Sequence, residues 1–343
     1  MVDLEYYVCL EGRVEVAKAV TRLPVDIICF TGSTVTGRLV AIEAAKNLVP
    51  CILELGGKCP VIVDESAVIP TAVNRLLFGK FLNAGQTCIG VDHVYVHESI
   101  KSDFKKQLLE KMEEFYGNGQ NVEDDGNVNK IVNDFHVNRL EKLLLDKHGG
   151  EILYGGIIKK EKRFIYPTVV EAPSKDCALM KEEIFGPILP VFYYTDLQKV
   201  IDEIVSRPKP LAVYHFSESK RNVQLVREKT FSGALCINDC VMQGTNGALP
   251  FGGVGHSGYG RYHGKEGFVA FSNPKSVAHC SSMDKYPANQ RYPPYTEDKK
   301  RLMTKLLKHG GITTRTIGRT LLAVLLVIIV VVLAAVLIPH YTS

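Results

Sequence analysis

The fold is decided by residues 25 to 58, which read VDIICFTGSTVTGRLVAIEAAKNLVPCILELGGK. The apolar run at 25–30 predicts a buried strand, residues from about 37 to 47 predict a helix, and PCILEL at 50–55 predicts a second strand. A strand, a helix and a strand in succession are typical of α/β architecture with a parallel sheet. We therefore expect an α/β fold.

The turn GSTVTG at 32–37 leads into the predicted helix. Free backbone N–H groups and the helix dipole at such a turn can hold a dinucleotide phosphate. The turn lacks the GxGxxG pattern, and Arg38 and Leu39 stand where a P-loop has Lys and Ser or Thr, which disfavours ATP chemistry. A plain strand-to-helix turn explains the same residues, so both interpretations stay open.

Glu54 ends the second predicted strand and is followed by Leu55, two glycines and Lys58. A carboxylate held among apolar residues binds its proton more tightly, which suits a general base. The alternative is an exposed strand-end glutamate that pairs with Lys58. Both interpretations stay open on these residues alone.

Two later stretches also offer chemistry. Cys88 lies in FLNAGQTCIG, after a helix predicted from about residue 71 to 83, but it is one of nine cysteines, and a free cysteine is a common core residue. The stretch EEIFGP at 182–187 offers a carboxylate for ribose hydroxyls and an aromatic ring for packing, or else a simple helix end before a Gly-Pro turn. A strand predicted at 91–97 and a helix predicted at 102–115 separate the two.

Charge and cysteine usage exclude several classes of protein. Residues 1–298 carry 34 basic and 37 acidic residues, a net charge of −3, so the body has no nucleic-acid footprint. The odd number of cysteines, without CxxC or zinc-type spacing, argues against a disulfide framework or a metal site. His256 and His263 are interpreted as loop residues, because no further ligand stands at metal spacing.

The C-terminal end of the sequence is basic and then apolar. Eighteen apolar residues run from Leu321 to Ile338, and a helix of that length spans about 27 Å. Basic residues precede the run, which predicts a tail anchor with the body in the cytosol. A short helix predicted over 296–311 either docks on the body or lies at the bilayer beside the substrate entrance.

Taken in order, the motifs resemble the aldehyde dehydrogenase superfamily. They are FTGSTVTG, ELGGK, GQTC placed 34 residues after Glu54, EEIFGP, and PFGGVGHSGYGRYHGKEGF at 250–268. The last stretch and the apolar C-terminus look most like class 3 and its membrane-anchored fatty aldehyde dehydrogenases. The resemblance extends from about residue 6 to 277.

The resemblance implies an NAD(P)-dependent oxidation of aldehydes, long-chain ones from lipid, at the endoplasmic reticulum membrane. Cys88 is implied as the nucleophile that forms a thiohemiacetal and then a thioester, and Glu54 as the base that activates the hydrolytic water. NAD or NADP is the implied cofactor, and a homodimer the implied assembly. The implied cofactor-binding residues are Gly32, Ser33, Gly37, Glu183 and Phe185.

The resemblance also divides the chain. The predicted segments are a remnant of the dinucleotide-binding domain at 1–55, a catalytic domain at 56–245, a returning segment at 246–278, a linker with an amphipathic helix at 279–319, and a transmembrane anchor at 320–339. Relatives carry a long N-terminal segment before the strand that is predicted to begin at about Tyr6 in this sequence. That segment contains a PWN motif, whose asparagine completes the oxyanion hole. The sequence has no PWN, so the alternative interpretation is a tail-anchored, inactive chain that only binds a partner.

Overall fold

The computed structural model describes residues 7–117, 126–280, 282–308 and 327–328. The chain divides into two compact units, Met1–Pro274 and Lys275–Ser343. In the first unit the elements are, in chain order, α1 Val14–Val20, β1 Ile28–Gly32, α2 Thr34–Ala45, β2 Cys51–Leu55, β3 Pro60–Val63, α3 Ile69–Phe81, β4 His93–His97, α4 Lys101–Tyr116, α5 Asp134–Leu145, β5 Glu151–Tyr154, β6 Ile158–Lys159, β7 Phe164–Ile165, β8 Thr168–Glu171, α6 Ala178–Lys181, β9 Ile188–Tyr194, α7 Leu197–Ser206, β10 Ala212–Phe216, α8 Lys220–Lys229, β11 Ala234–Ile237, β12 Gly258–Tyr259 and α9 Gly264–Ala270.

A seven-stranded sheet forms the core of this unit, with strand order β11-β10-β3-β4-β9-β8-β5. Its pairings are parallel except that of β5 with β8. Alternate residues of β3 and β4 enter two separate clusters of buried side chains, one shared with α3 and α4 and the other with α5 and α7. Parallel strands covered by helices on both faces need apolar residues throughout, as these strands have.

A second sheet has three strands in the order β1-β2-β12. β1 runs parallel to β2, and β12 runs antiparallel to it, with Gly258 opposite Glu54. The strand β2 is therefore central, and its residues from Ile52 to Leu55 are buried. This arrangement fixes the position of Glu54 from both sides.

The prediction of a buried strand at 25–30 was wrong in extent and burial. The strand is Ile28–Gly32, and Cys29, Thr31 and Gly32 are exposed. Among the described residues β1 is an edge strand, with a partner on one side only. An apolar run shows that a strand can be buried, but burial depends on the neighbours that the fold supplies.

Most other predicted elements are confirmed with shifted ends. The predicted helix at 37–47 begins earlier, at Thr34, because the Ser33 side chain accepts a hydrogen bond from the Thr36 N–H and caps it. The strand predicted at 50–55 and the helices predicted at 71–83 and 102–115 correspond to β2, α3 and α4.

The second unit contains α10, Glu297–Lys308. Thr296 caps it, since its hydroxyl accepts from the Lys299 N–H at 3.4 Å, so the predicted short helix is confirmed. The predicted anchor at 320–339 lies outside the described residues, apart from 327 and 328. Within the described part of the chain, no helix combines the length and the apolar character needed to cross a bilayer.

Candidate active site

The loop that carries Cys88 follows α3 with three consecutive residues in the left-handed region. Asn83, Ala84 and Gly85 have φ of 54°, 54° and 71°. A Cβ added to Gly85 would lie 2.4 Å from the carbonyl oxygen of Gly186, so a side chain at this position would collide with the EEIFGP backbone. The GQTC and EEIFGP stretches, about 100 residues apart in sequence, are thus in backbone contact.

The Gln86 side chain fixes this loop. Its Nε2 donates to the carbonyls of Asn83 and Lys130, both at 3.1 Å, and its Oε1 accepts from the Val132 N–H at 2.9 Å. A primary amide has both donors and an acceptor, so it can hold a loop on several sides. The glutamine of GQTC therefore has a structural task.

Cys88 is half-buried at the end of the loop. Burial raises the pKa of its thiol, and the nearby carboxylate of Glu183 raises it further, while the backbone N–H groups of Ile89 and Cys88 lower it. The sulfur thus lies where backbone donors can hold negative charge. The net effect is a raised pKa, so the thiol is the favoured form and the backbone N–H groups offset burial only in part.

Glu54 is buried, with 3% of its surface exposed, and neither carboxylate oxygen has a hydrogen-bond partner among the described residues. Burial raises the pKa of Glu54 to about 8, and Arg261 counteracts part of that rise.

The interpretation of an exposed glutamate paired with Lys58 was wrong. Lys58 instead pairs with Asp92 at 2.5 Å and donates to the carbonyls of Leu179 and Glu182.

One cavity of about 1320 Å³ brings together Cys88 and Glu54, the two residues that the sequence implies as catalytic. Cys88 and Glu54 both line it, and so do four of the five implied cofactor-binding residues: Gly32, Ser33, Glu183 and Phe185. Gly37 does not. It is buried in α2, where an added Cβ would lie 2.5 Å from Leu55 Cδ2, so this glycine allows the helix to pack on β2.

The donor set around the cavity fits a dinucleotide. The first residues of α2 line it, and the N-terminus of a 12-residue helix presents free N–H groups and a positive dipole end. Glu183 supplies a carboxylate that can accept from hydroxyls. Burial raises the pKa of Glu183 to about 7, and the Gly57 N–H holds the carboxylate and opposes that rise. The carboxylate fills the space where a Cβ on Gly56 would stand, with Glu183 Oε2 2.1 Å from that point.

Comparisons with known proteins identify the family of the chain. The profile of the aldehyde dehydrogenase family matches residues 6–277. This chain belongs to the aldehyde dehydrogenase family. It is 44% identical over 293 residues to 4,4'-diaponeurosporen-aldehyde dehydrogenase of Staphylococcus aureus. The matched region covers 85% of this chain and 63% of the relative. It is 36% identical over 297 residues to aldehyde dehydrogenase family 3 member A2 of Rattus norvegicus. That match covers 87% of this chain and 60% of the relative.

A solved structure of an aldehyde dehydrogenase confirms the fold. The substrate-bound AldH of Staphylococcus aureus matches with a TM-score of 0.80 at 42% identity, over 87% of this chain and 64% of that one. The predicted α/β aldehyde dehydrogenase body is therefore correct, and family 3 relatives support the class 3 resemblance. This aldehyde dehydrogenase chain spans 60 to 64% of the length of these three relatives.

Sequence reasoning missed the buried charges behind the site of this aldehyde dehydrogenase chain. Asp92 accepts from Lys58 Nζ, and its carboxylate also bonds the His93 ring and the Ile184 N–H, each at 3.0 Å. Lys80 is fully buried beside it, with Nζ 3.4 Å from the Asp92 carbonyl oxygen. The signal available in the sequence was an aspartate directly before an apolar strand. A carboxylate buried there needs a cationic or N–H partner, so Asp92 could have been expected to pair.

Proposed function

We propose that this chain serves in the NAD(P)-linked oxidation of aldehydes to carboxylic acids, with Cys88 as the nucleophile and Glu54 as the general base. The observation that carries the proposal is the shared cavity: a half-exposed thiol and a buried, unpartnered carboxylate both line it. The family membership of the chain supports the same chemistry.

In the first step the Cys88 thiolate attacks the aldehyde carbonyl carbon, and a carbon–sulfur bond forms. The carbonyl π electrons move to the oxygen, and the Cys88 backbone N–H would hold the resulting oxyanion. The backbone donors near the sulfur favour the thiolate against the effect of burial. The Cys88 N–H would thus serve the thiolate before the attack and the oxyanion after it.

The cofactor enters this proposal through the residues that would hold it. The N-terminal turn of α2, including Ser33, would hold phosphate, Glu183 would accept from ribose hydroxyls, and Phe185 would pack near the nicotinamide. When bound, NAD or NADP would supply the acceptor for the hydride that leaves the thiohemiacetal carbon as the oxyanion electrons re-form the carbonyl bond of the Cys88 thioester. The side chain of Ser33 already caps the helix, so its backbone N–H is the group left for a phosphate.

In the last step water attacks the Cys88 thioester, and Glu54 takes the proton from the water. The carbon–sulfur bond then breaks, the acid leaves, and the thiolate is restored. Only ionised Glu54 can act as a base, and its pKa is raised to about 8. Hydrolysis should therefore accelerate as the pH rises toward that value.

We further propose long-chain, lipid-derived aldehydes as the substrates and the endoplasmic reticulum membrane as the location. The support is the apolar run at 321–338 with the basic residues before it. A fluorescent fusion that resists carbonate extraction from membranes, and loses that resistance when 321–338 is removed, would support anchoring. Equal rates with hexadecanal and a short soluble aldehyde would contradict the substrate class.

The test of the activity is the formation of NADH or NADPH from a series of aldehydes. Cys88→Ser should abolish the signal. Cys236→Ser is the matched control, because Cys236 is also half-buried and packs on the same cluster, and it should retain activity. Full activity in Cys88→Ser, or no dinucleotide reduction by the unaltered chain, would contradict the proposal.

A further inference from the structure

One segment of the chain contacts both of the loops that face the cavity. We call residues 82–88 the cysteine loop and residues 182–187 the glutamate loop. They touch where Gly85 meets the carbonyl of Gly186. The segment 129–139, which runs into α5, contacts both of them.

The cysteine loop is tied to the first half of this segment. Gln86 accepts from the Val132 N–H and donates to the Lys130 carbonyl, and Asn129 Nδ2 donates to Asn83 Oδ1 at 3.0 Å. These bonds involve no group of the glutamate loop. The cysteine loop therefore has its own attachment.

The glutamate loop is tied to the second half by Arg139. Its Nη1 donates to the Glu183 carbonyl at 3.1 Å, and its Nη2 donates to the Ile184 carbonyl at 2.6 Å. The side chain is 19% exposed, and its Nη1 also lies 3.8 Å from Glu182 Oε1. The planar guanidinium presents donors in a fixed fork, which suits two successive carbonyls.

The opposite side of the same peptide is held as well. The Ile184 N–H donates to Asp92 Oδ1, and Ile184 is fully buried. The next residue, Phe185, has φ of 45°, a conformation that a bulky residue keeps only when its surroundings enforce it. Leu140 of α5 packs where a Cβ on Gly186 would stand, so α5 lies directly against the backbone of the glutamate loop at this glycine.

We propose that Arg139 is a positioning residue, which sets the glutamate loop so that Glu183 and Phe185 face the cavity at a fixed distance from the cysteine loop. The inference rests on the proposed function, because Glu183 and Phe185 matter as cofactor-binding residues. Arg139 also lines the cavity itself, so amide exchange in the glutamate loop is the readout that isolates its action through the backbone.

The test compares Arg139→Met, Arg139→Lys and the control Lys142→Met, which removes an exposed positive charge from the same helix. The first readout is amide hydrogen exchange in a peptide that covers residues 182–188. The second is the dissociation constant of NAD and NADP from calorimetry. The third is the alkylation rate of Cys88 without cofactor, followed by peptide mapping.

Arg139→Met should speed exchange at the Ile184 amide and weaken dinucleotide binding, each by about tenfold or more, because two buried carbonyls lose a charged donor. Alkylation of Cys88 should stay within about twofold, since the cysteine loop has a separate attachment. Arg139→Lys should give exchange rates and dissociation constants between those of the unaltered chain and Arg139→Met, because an ammonium group lacks the two fixed, coplanar donors of a guanidinium. Lys142→Met should match the unaltered chain in all three.

Unchanged exchange in Arg139→Met would overturn the inference. So would faster exchange that extends equally to the peptide over α3, because that result would indicate a general loss of stability. If Arg139→Met fails to fold, Arg139→Lys decides through the same exchange readout. If the unaltered chain binds no dinucleotide, the proposed function fails, while exchange at Ile184 still decides whether Arg139 positions the loop.

Discussion

Gly258 of β12 lies in register with Glu54 of β2, and a Cβ added to Gly258 would fall 1.8 Å from the Leu53 carbonyl oxygen. Its φ of 124° is also one that side chains rarely adopt. The strand that carries Glu54, the proposed general base, thus depends on a glycine that follows it by about 200 residues in sequence. Close backbone contact here keeps β2 in the centre of its sheet.

Gly258→Ala should therefore destabilise the protein by about 2 kcal/mol or more, because the backbone is strained and β12 must move from β2. Chemical denaturation measures the change. Gly247→Ala is the control, since nothing lies within 4 Å of a Cβ at that glycine. Equal stability of the two variants would show that the contact with Leu53 is unimportant.

Glu54→Gln should change how stability depends on pH. The pKa of Glu54 is raised from 4.5 to about 8 in the folded chain, so the folded state holds an additional proton between these values. The contribution of protonated Glu54 to the free energy of unfolding is fully present below the pKa of the unfolded state, and it is lost as the pH rises through the pKa of the folded state. The glutamine variant lacks this loss.

The melting temperature of Glu54→Gln relative to the unaltered chain should therefore be higher at pH 9 than at pH 5.5. Glu151→Gln, at an exposed strand residue, should show no such trend. A difference for Glu54→Gln that stays constant across the pH range would mean that the carboxylate finds a partner when ionised.

Lys58→Met should destabilise the chain by about 3 to 5 kcal/mol, because it leaves the buried Asp92 carboxylate without its cation. Although burial alone raises the pKa of Asp92, the charge of Lys58 and the His93 hydrogen bond hold it well below its usual range. Adding Asp92→Asn should restore part of the lost stability. Additive losses in a double-mutant cycle would refute the coupling.

The sequence was sufficient to predict the α/β body, and it also indicated that Cys88 and Glu54 belong to one site, where the structure places both on one cavity. Cys88 and Glu54 sit in short motifs whose spacing is specific, and local patterns predicted α3, β4 and α4. Short-range signals of this kind depend on a few neighbouring residues, so they can be read from one chain.

What the sequence could not predict depends on contacts between distant residues. Arg139 and Glu183 are 44 residues apart, and nothing near Arg139 indicates which carbonyls it meets. Gly37 was assigned to the cofactor, yet it serves helix packing against Leu55, because a small residue suits either purpose. The exposure of β1 likewise depends on its place at the edge of a sheet.

The central claim is that Cys88 carries the acyl group and Glu54 directs its hydrolysis. The most direct measurement is intact and peptide mass spectrometry of Glu54→Gln after mixing with hexanal and NAD or NADP. We expect an acyl group, hexanal less one hydride, to replace the thiol proton of Cys88 and accumulate there, and to be absent from Cys88→Ser. No acyl adduct in Glu54→Gln, or an adduct on another cysteine that persists in Cys88→Ser, would contradict it.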